Sequence, residues 1–165
     1  MVPSTSECAS YVAQKTFDNK PLVLRHMRLS DLKAVAQLEQ EIFLSPWSMS
    51  SFHKELDNKI STTFVLLWHD LITGYTTFWI AADEVQILKI AVAPDFRQLG
   101  VAAWMLNTIL QESRRLQAKI AFVEVRASNK NAIGFYKKNG FAVEGTRRDY
   151  YASPREDALL MQREL

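Results

Sequence analysis

One run of twelve residues, Ala91-Val-Ala-Pro-Asp-Phe-Arg97-Gln-Leu-Gly100-Val-Ala102, constrains this chain more than any other part of it. It reads as the end of a buried strand, a tight turn carrying Arg-x-x-Gly-x-Ala, and a helix opening on that turn. Gly100 and Ala102 let the backbone come close to a ligand, because glycine has no side chain and alanine only a methyl group. The first N–H groups of a helix point outward without intrahelical partners, which suits an anion such as pyrophosphate. A short Gly/Ala loop alone is a weak signal. It gains weight from the flanking strand and helix and from a second motif, Glu124-Val-Arg-Ala-Ser-Asn129, followed by Ala132-Ile133 and Tyr136.

Composition narrows the class. With 165 residues and 48% hydrophobic content, the chain can bury a core in one globular domain. Its net charge of +2 and scattered basic residues argue against a nucleic-acid surface. The single cysteine, Cys8, excludes an intrachain disulfide framework and fits a reducing, cytoplasmic setting. It lies in a polar stretch that does not suggest a catalytic thiol. No apolar run reaches membrane-spanning length, and the N-terminus lacks the apolar segment of a secretory signal, so no membrane association is expected. Residues 1–21 read as a poorly ordered leader and residues 22–165 as the folded domain. His26, His53 and His69 lack ligand spacing, so no metal is expected.

Patterning predicts a first strand over Leu22–Arg28, then a helix capped by Ser30-Asp31 and running to about Phe43. Leu32, Val35, Ala36, Leu38, Glu39 and Ile42 follow at helical spacing. Pro46 interrupts the chain and Ser48 caps a short second helix to about Leu56. Thr62–Trp68 and Thr73–Ile80 read as a hairpin, and Val85–Ala93 as a central strand. A helix over Gly100–Leu116, a strand over Lys119–Val125 and a helix over Asn129–Asn139, closed by Gly140, come next. Phe141–Tyr150 and Ala158–Arg163 form a last antiparallel pair. The fold class is α/β (α+β), with a mixed sheet and helices on both faces.

These residues together resemble the GNAT family of acetyl-CoA-dependent N-acetyltransferases. The likeness extends from about Leu22 to Leu165 and includes Ser45-Pro46-Trp47-Ser48, Arg147-Arg148-Asp149-Tyr150-Tyr151 and Arg155-Glu156-Asp157-Ala158. It is strongest toward the RimI-like branch, the ribosomal-protein-alanine N-acetyltransferases. The resemblance implies the GNAT fold, a mixed sheet of about seven strands flanked by about four helices. It also implies acetyl-CoA as co-substrate and, as acceptor, a protein N-terminus, that of a small-subunit ribosomal protein beginning with Ala or Ser.

Acetyl transfer from a thioester to an amine needs a neutral amine, a stabilised oxyanion and a proton for the departing thiolate. By resemblance, Glu124 stands at the general-base position and Tyr136 at that of the general acid. A tyrosine of ordinary pKa about 10 protonates a thiolate of pKa about 8.5 at a cost near 2 kcal/mol unless the site lowers its pKa. Ile90, Ala91 and Val92 fall on the strand whose amides hold the pantetheine arm and the thioester oxygen in this family. Gln98, Leu99, Gly100, Val101, Ala102 and Ala103 supply the pyrophosphate loop, with Arg97 adding charge at its mouth. Asn129 matches a cofactor contact, a role compatible with capping the helix that starts there.

On the acceptor side, Phe43, Pro46 and Trp47 occupy the loop between the first two helices, where this family places its peptide groove. Trp47 serves equally well as a packing anchor. Tyr150 and Tyr151 belong to the hairpin lining the groove's other side. The chain departs from the branch there, with Asp149 in place of the familiar Asn and a link of just Ala152-Ser153-Pro154. A carboxylate near an ammonium-binding groove would alter which N-terminus is preferred. At neutral pH an α-amino group of pKa about 8 is neutral roughly a hundredfold more often than a lysine ε-amine of pKa about 10.4, which favours an N-terminal acceptor. The alternatives are a GNAT enzyme acting on lysine or a small amine, and a non-catalytic module that binds acyl-CoA.

Overall fold

The computed structural model describes residues 11–165; Cys8 and the rest of residues 1–10 lie outside the described part. Two compact units emerge, one of residues 11–77 and 89–108, the other of residues 78–88 and 109–165. The strands β4 (Leu71–Ala81) and β5 (Glu84–Val92) and the helix α3 (Val101–Arg115) run through both. Among the described residues no helix is long and apolar enough to cross a membrane.

In the first unit the strand order is β1-β2-β3-β4-β5, with β1 Tyr11–Phe17, β2 Lys20–His26 and β3 Ser61–Trp68. The strand β1 lies in the stretch expected as a leader. Its pattern concealed it: among its residues Phe17 alone is buried, and the strand is held by antiparallel pairing with β2. Asp18 and Asn19 make the connection, both with positive φ, as a tight hairpin turn requires. Two helices, α1 (Leu32–Ile42) and α2 (Met49–Asp57), close over the sheet. Leu32, Val35, Ala36 and Leu38 of α1 and Phe52 of α2 bury their side chains with Met27, Val65, Tyr75 and Ala91. Ser48 caps α2, its hydroxyl accepting from the Ser51 N–H at 3.1 Å, a bond worth about 1 kcal/mol.

The start of α1 differs from expectation. A short 3-10 turn, Leu29–Asp31, precedes the helix, and Asp31 makes no side-chain cap to it. Its carboxylate faces back, accepting two bonds from Arg25 at 2.6 and 2.9 Å and one from the Arg28 N–H at 2.7 Å. Burial raises the pKa of such a group, but the Arg25 and Arg28 bonds outweigh it and hold Asp31 below the usual carboxylate range.

In the second unit the order is β4-β5-β6-β8-β7, with β6 Ile120–Arg126, β7 Ala142–Ala152 and β8 Arg155–Glu164. The start of β5 pairs parallel with β6 from Glu84↔Ile120 to Ile87↔Val123, and β6 pairs antiparallel with β8. The helix α4 (Lys130–Lys138) carries Ile133 and Tyr136 on its buried side. Gly140 follows it at φ +83, the left-handed position that ends a helix at little cost for glycine. Among the described residues, eight strands form a mixed sheet with four α-helices, one strand more than expected because of β1.

Candidate active site

In the first unit, β5 leads through a 3-10 turn at Pro94–Phe96 into the loop before α3. Gln98 at φ +59 and Gly100 at φ +85 are both left-handed. Left-handed residues in a turn let successive backbone N–H groups converge on one side, the makings of an anion cradle. Gln98 holds that conformation without glycine's freedom, a strain of the sort concentrated at ligand sites. The Gly100 carbonyl accepts the first helical bond, from Trp104 at 3.1 Å, so the amides of Val101, Ala102 and Ala103 begin the helix. Buried Val101 roots the helix, while Ala102 and Ala103 are half-buried. These residues fit a diphosphate. The Arg97 Nε donates to the Val92 carbonyl at 2.8 Å, tying the turn to the strand end.

The strand carrying Ile90, Ala91 and Val92 is backed closely by β4. A Cβ at Gly74 would sit 2.7 Å from the Ala91 carbonyl oxygen, so only glycine fits. The Thr76 hydroxyl donates to the Lys89 carbonyl at 2.7 Å, and the Ala93 N–H to the Thr73 carbonyl at 2.8 Å.

The loop between α1 and α2 is fastened from below by a group that the sequence reading placed on the helix face but gave no role. Glu39 has no exposed side-chain surface, and its carboxylate accepts from the Tyr75 hydroxyl, the Lys89 ammonium and, at 2.7 Å, the Trp47 N–H. The Lys89 ammonium lies 4.1 Å from the Phe43 ring centre and 5.0 Å from that of Trp47. Burial lowers the Lys89 pKa despite Glu39, which pulls it upward, and raises that of Tyr75, with Glu39 adding to the rise. Trp47 also packs on Phe52 at 5.5 Å between ring centres. Phe43 and Trp47 are thus half-buried anchors around one cation, and Pro46 stands exposed. The available signal was a carboxylate on an apolar helix stripe and a lysine inside Ile87-Leu-Lys-Ile90.

The second unit gathers the remaining chemistry. Along β6 buried and half-buried residues alternate, so Glu124 shares a face with Phe122 and Arg126 while Val123 and Val125 enter the core. The Glu124 side chain is 9% exposed, and Arg147 Nη1 stands 2.7 Å from its Oε1. That contact is an ion pair out of line for a hydrogen bond, which leaves Oε1 buried with its lone pairs unmatched. The Tyr150 hydroxyl bonds to the Glu124 carboxylate, and that bond, with burial, pushes the Tyr150 pKa up to about 12. The Tyr151 hydroxyl reaches the Glu124 carbonyl at 3.4 Å, and the Arg126 guanidinium covers its ring at 4.0 Å.

Tyr136 is buried between Phe135 and Phe141, at 5.0 and 5.3 Å between ring centres. Burial first, and the neighbouring Tyr151 second, raise its pKa. The site therefore does not ease proton loss from Tyr136; it keeps the phenol protonated. Asn129 caps α4, its side-chain oxygen accepting from the Ala132 N–H at 3.0 Å. Asp149 does not offer the free carboxylate anticipated for the groove. It sits at a bulge in β7 with φ +53 and takes two 2.7 Å bonds from Arg155, which hold its pKa down.

The sequence model of the acetyltransferase (GNAT) family matches residues 32–141. A protein of Bacillus subtilis (strain 168), provisionally named a [ribosomal protein bS18]-alanine N-acetyltransferase, is 35% identical over 139 residues, covering 84% of this chain and 92% of its own. The [ribosomal protein bS18]-alanine N-acetyltransferase of Escherichia coli (strain K12) is 30% identical over 137 residues, with 82% and 92% covered. The crystal structure of the ribosomal-protein-S18-alanine N-acetyltransferase from Escherichia coli superimposes with a TM-score of 0.79 at 28% identity, covering 87% of this chain and 93% of that one.

Proposed function

The chain belongs to the acetyltransferase (GNAT) family, and from that premise we propose that it acetylates the free α-amino group of a protein N-terminus, using acetyl-CoA. The names of its relatives specify an N-terminal alanine of ribosomal protein bS18. The acceptor inferred here is a small-subunit ribosomal protein beginning with Ala or Ser.

The observation that carries the reading is the setting of Glu124. It is a nearly buried carboxylate whose cationic partner, Arg147, is 55% exposed. An ion pair with so much solvent access is worth about 1 kcal/mol or less, so an incoming ammonium can replace the guanidinium. Glu124 then takes the ammonium proton, directly or through water, and frees the lone pair on nitrogen. Acetyl-CoA supplies the acyl carbon and a thiolate leaving group. In this assignment the β5 amides near Ile90–Val92 face the oxyanion, and the loop Gln98–Ala103 holds the diphosphate through its N–H groups.

Tyr136 is the proton donor toward the departing sulfur. With its pKa raised, full transfer to a free thiolate of ordinary pKa about 8.5 costs more than about 2 kcal/mol. Tyr136 therefore acts while the carbon–sulfur bond is still breaking, when the sulfur carries partial charge and the phenol serves as hydrogen-bond donor.

The test is a single peptide with a free N-terminal alanine and an internal lysine, alongside its N-terminally blocked twin. Fragment masses locate the acetyl group. Modification of the α-amino group alone, and none of the blocked peptide, is expected. Acetylation of lysine in both peptides would overturn the N-terminal reading and keep the family.

A further inference from the structure

We propose that Glu39 and Lys89 form a positioning pair that sets the acceptor loop, Phe43 to Ser48, on strand β5 and so governs acceptor binding. This rests on the reading of that loop as the acceptor wall. Little of the loop is buried: Leu44 is 80% exposed, and Ser45, Pro46 and Ser48 are exposed as well. Besides the packing of Trp47 on Phe52 and the Ser48 cap, its fixed points include the Trp47 N–H on the Glu39 carboxylate and the Phe43 and Trp47 rings on the Lys89 ammonium. Both lead to one buried pair, in which the Lys89 side chain is 11% exposed and that of Glu39 is wholly covered.

A buried ion pair is a poor means of gaining stability, since apolar residues of similar volume often serve as well or better. What it supplies is geometry. Three donors, from Tyr75, Lys89 and Trp47, converge on two oxygens and leave the carboxylate little freedom. Lys89 is joined by one peptide bond to Ile90, the first of the residues assigned to the acyl donor. The pair therefore registers the acceptor wall against the donor strand within one unit of the protein.

The experiment compares the wild type with Glu39→Gln, Lys89→Met and the double variant. It reads separate KM values for the N-terminal alanine peptide and for acetyl-CoA, together with amide exchange over residues 43–48. Glutamine offers one acceptor oxygen to three donors, so a bond must be lost. In each single variant the acceptor KM should rise about tenfold, as for one charged hydrogen bond lost. The acetyl-CoA KM should stay within about twofold, as expected if donor binding is untouched. Exchange over 43–48 should quicken. The double variant should recover most of both readouts, because it removes both charges, leaves a carbonyl for the Trp47 N–H and places a thioether between the two rings. Folded single variants with unchanged acceptor KM, or with both KM values raised alike, would overturn the proposal. Wild type that transfers no acetyl group would sink the functional reading instead, and exchange over 43–48 would still decide the anchoring.

Discussion

Glu39 and Glu124 are both carboxylates drawn out of solvent, and their surroundings differ in kind. Glu39 meets a phenol, an ammonium and a backbone N–H, all from buried or nearly buried groups. Glu124 meets the half-exposed side chains of Arg147 and Tyr150, with Oε1 out of line for any donor. A carboxylate held by three fixed donors keeps structure in place. One whose partners can swing into solvent can exchange them for a substrate. On the proposed reading, the difference separates a strut from a base in two side chains of identical chemistry.

A large expected effect tests the second region. Tyr136→Phe should lower kcat about a hundredfold, the lower range for loss of a proton donor. The ring packing on Phe135 and Phe141 is kept, so thermal stability should hold. Unchanged kcat would remove Tyr136 from the chemistry. Gly74→Ala tests the first region, where the new Cβ meets the Ala91 carbonyl. It should cost about 2 kcal/mol of stability, as overpacking does, read as a lower denaturant midpoint. An unchanged midpoint would mean that β4 and β5 yield readily there.

Alkaline titration sharpens the comparison, because each region buries one phenol. The Tyr75 and Tyr136 pKa values are raised by burial above the unfolded value of about 10. Groups shifted upward contribute their stability fully below the unfolded pKa and lose it as pH rises toward the folded one. Stability should fall above about pH 10, by about 1 kcal/mol per phenol over the first unit. Denaturant melts at pH 8 and 11 check the sign, and a flat profile would contradict the burial of both hydroxyls. The smallest effect belongs to Arg147→Gln. Stability should change by less than about 1 kcal/mol for so exposed a pair, while the acceptor KM falls as the competing cation is lost. A marked loss of stability would show that the guanidinium is not free to leave.

Local chemistry made much of this legible from sequence. Ser48 and Asn129 are the caps expected of them, and Gly140 ends its helix with positive φ. What escaped depends on distant partners. Strand β1 has too few buried side chains to alternate visibly and exists through pairing with β2. The Glu39–Lys89 pair spans fifty positions, and Asp149 reads as a free charge until Arg155 folds across the turn to meet it. Tyr136 was legible as a buried aromatic, but not the direction in which burial moves its pKa within the site.

The most direct test of this division is to compare Glu124→Gln with Glu39→Gln on one N-terminal alanine peptide at saturating acetyl-CoA. Glu124→Gln should lower kcat by about a hundredfold or more and barely move the acceptor KM. Glu39→Gln should leave kcat nearly intact and raise that KM. The reverse pattern, or the same pattern in both, would contradict the assignment of proton transfer to Glu124 and of positioning to Glu39.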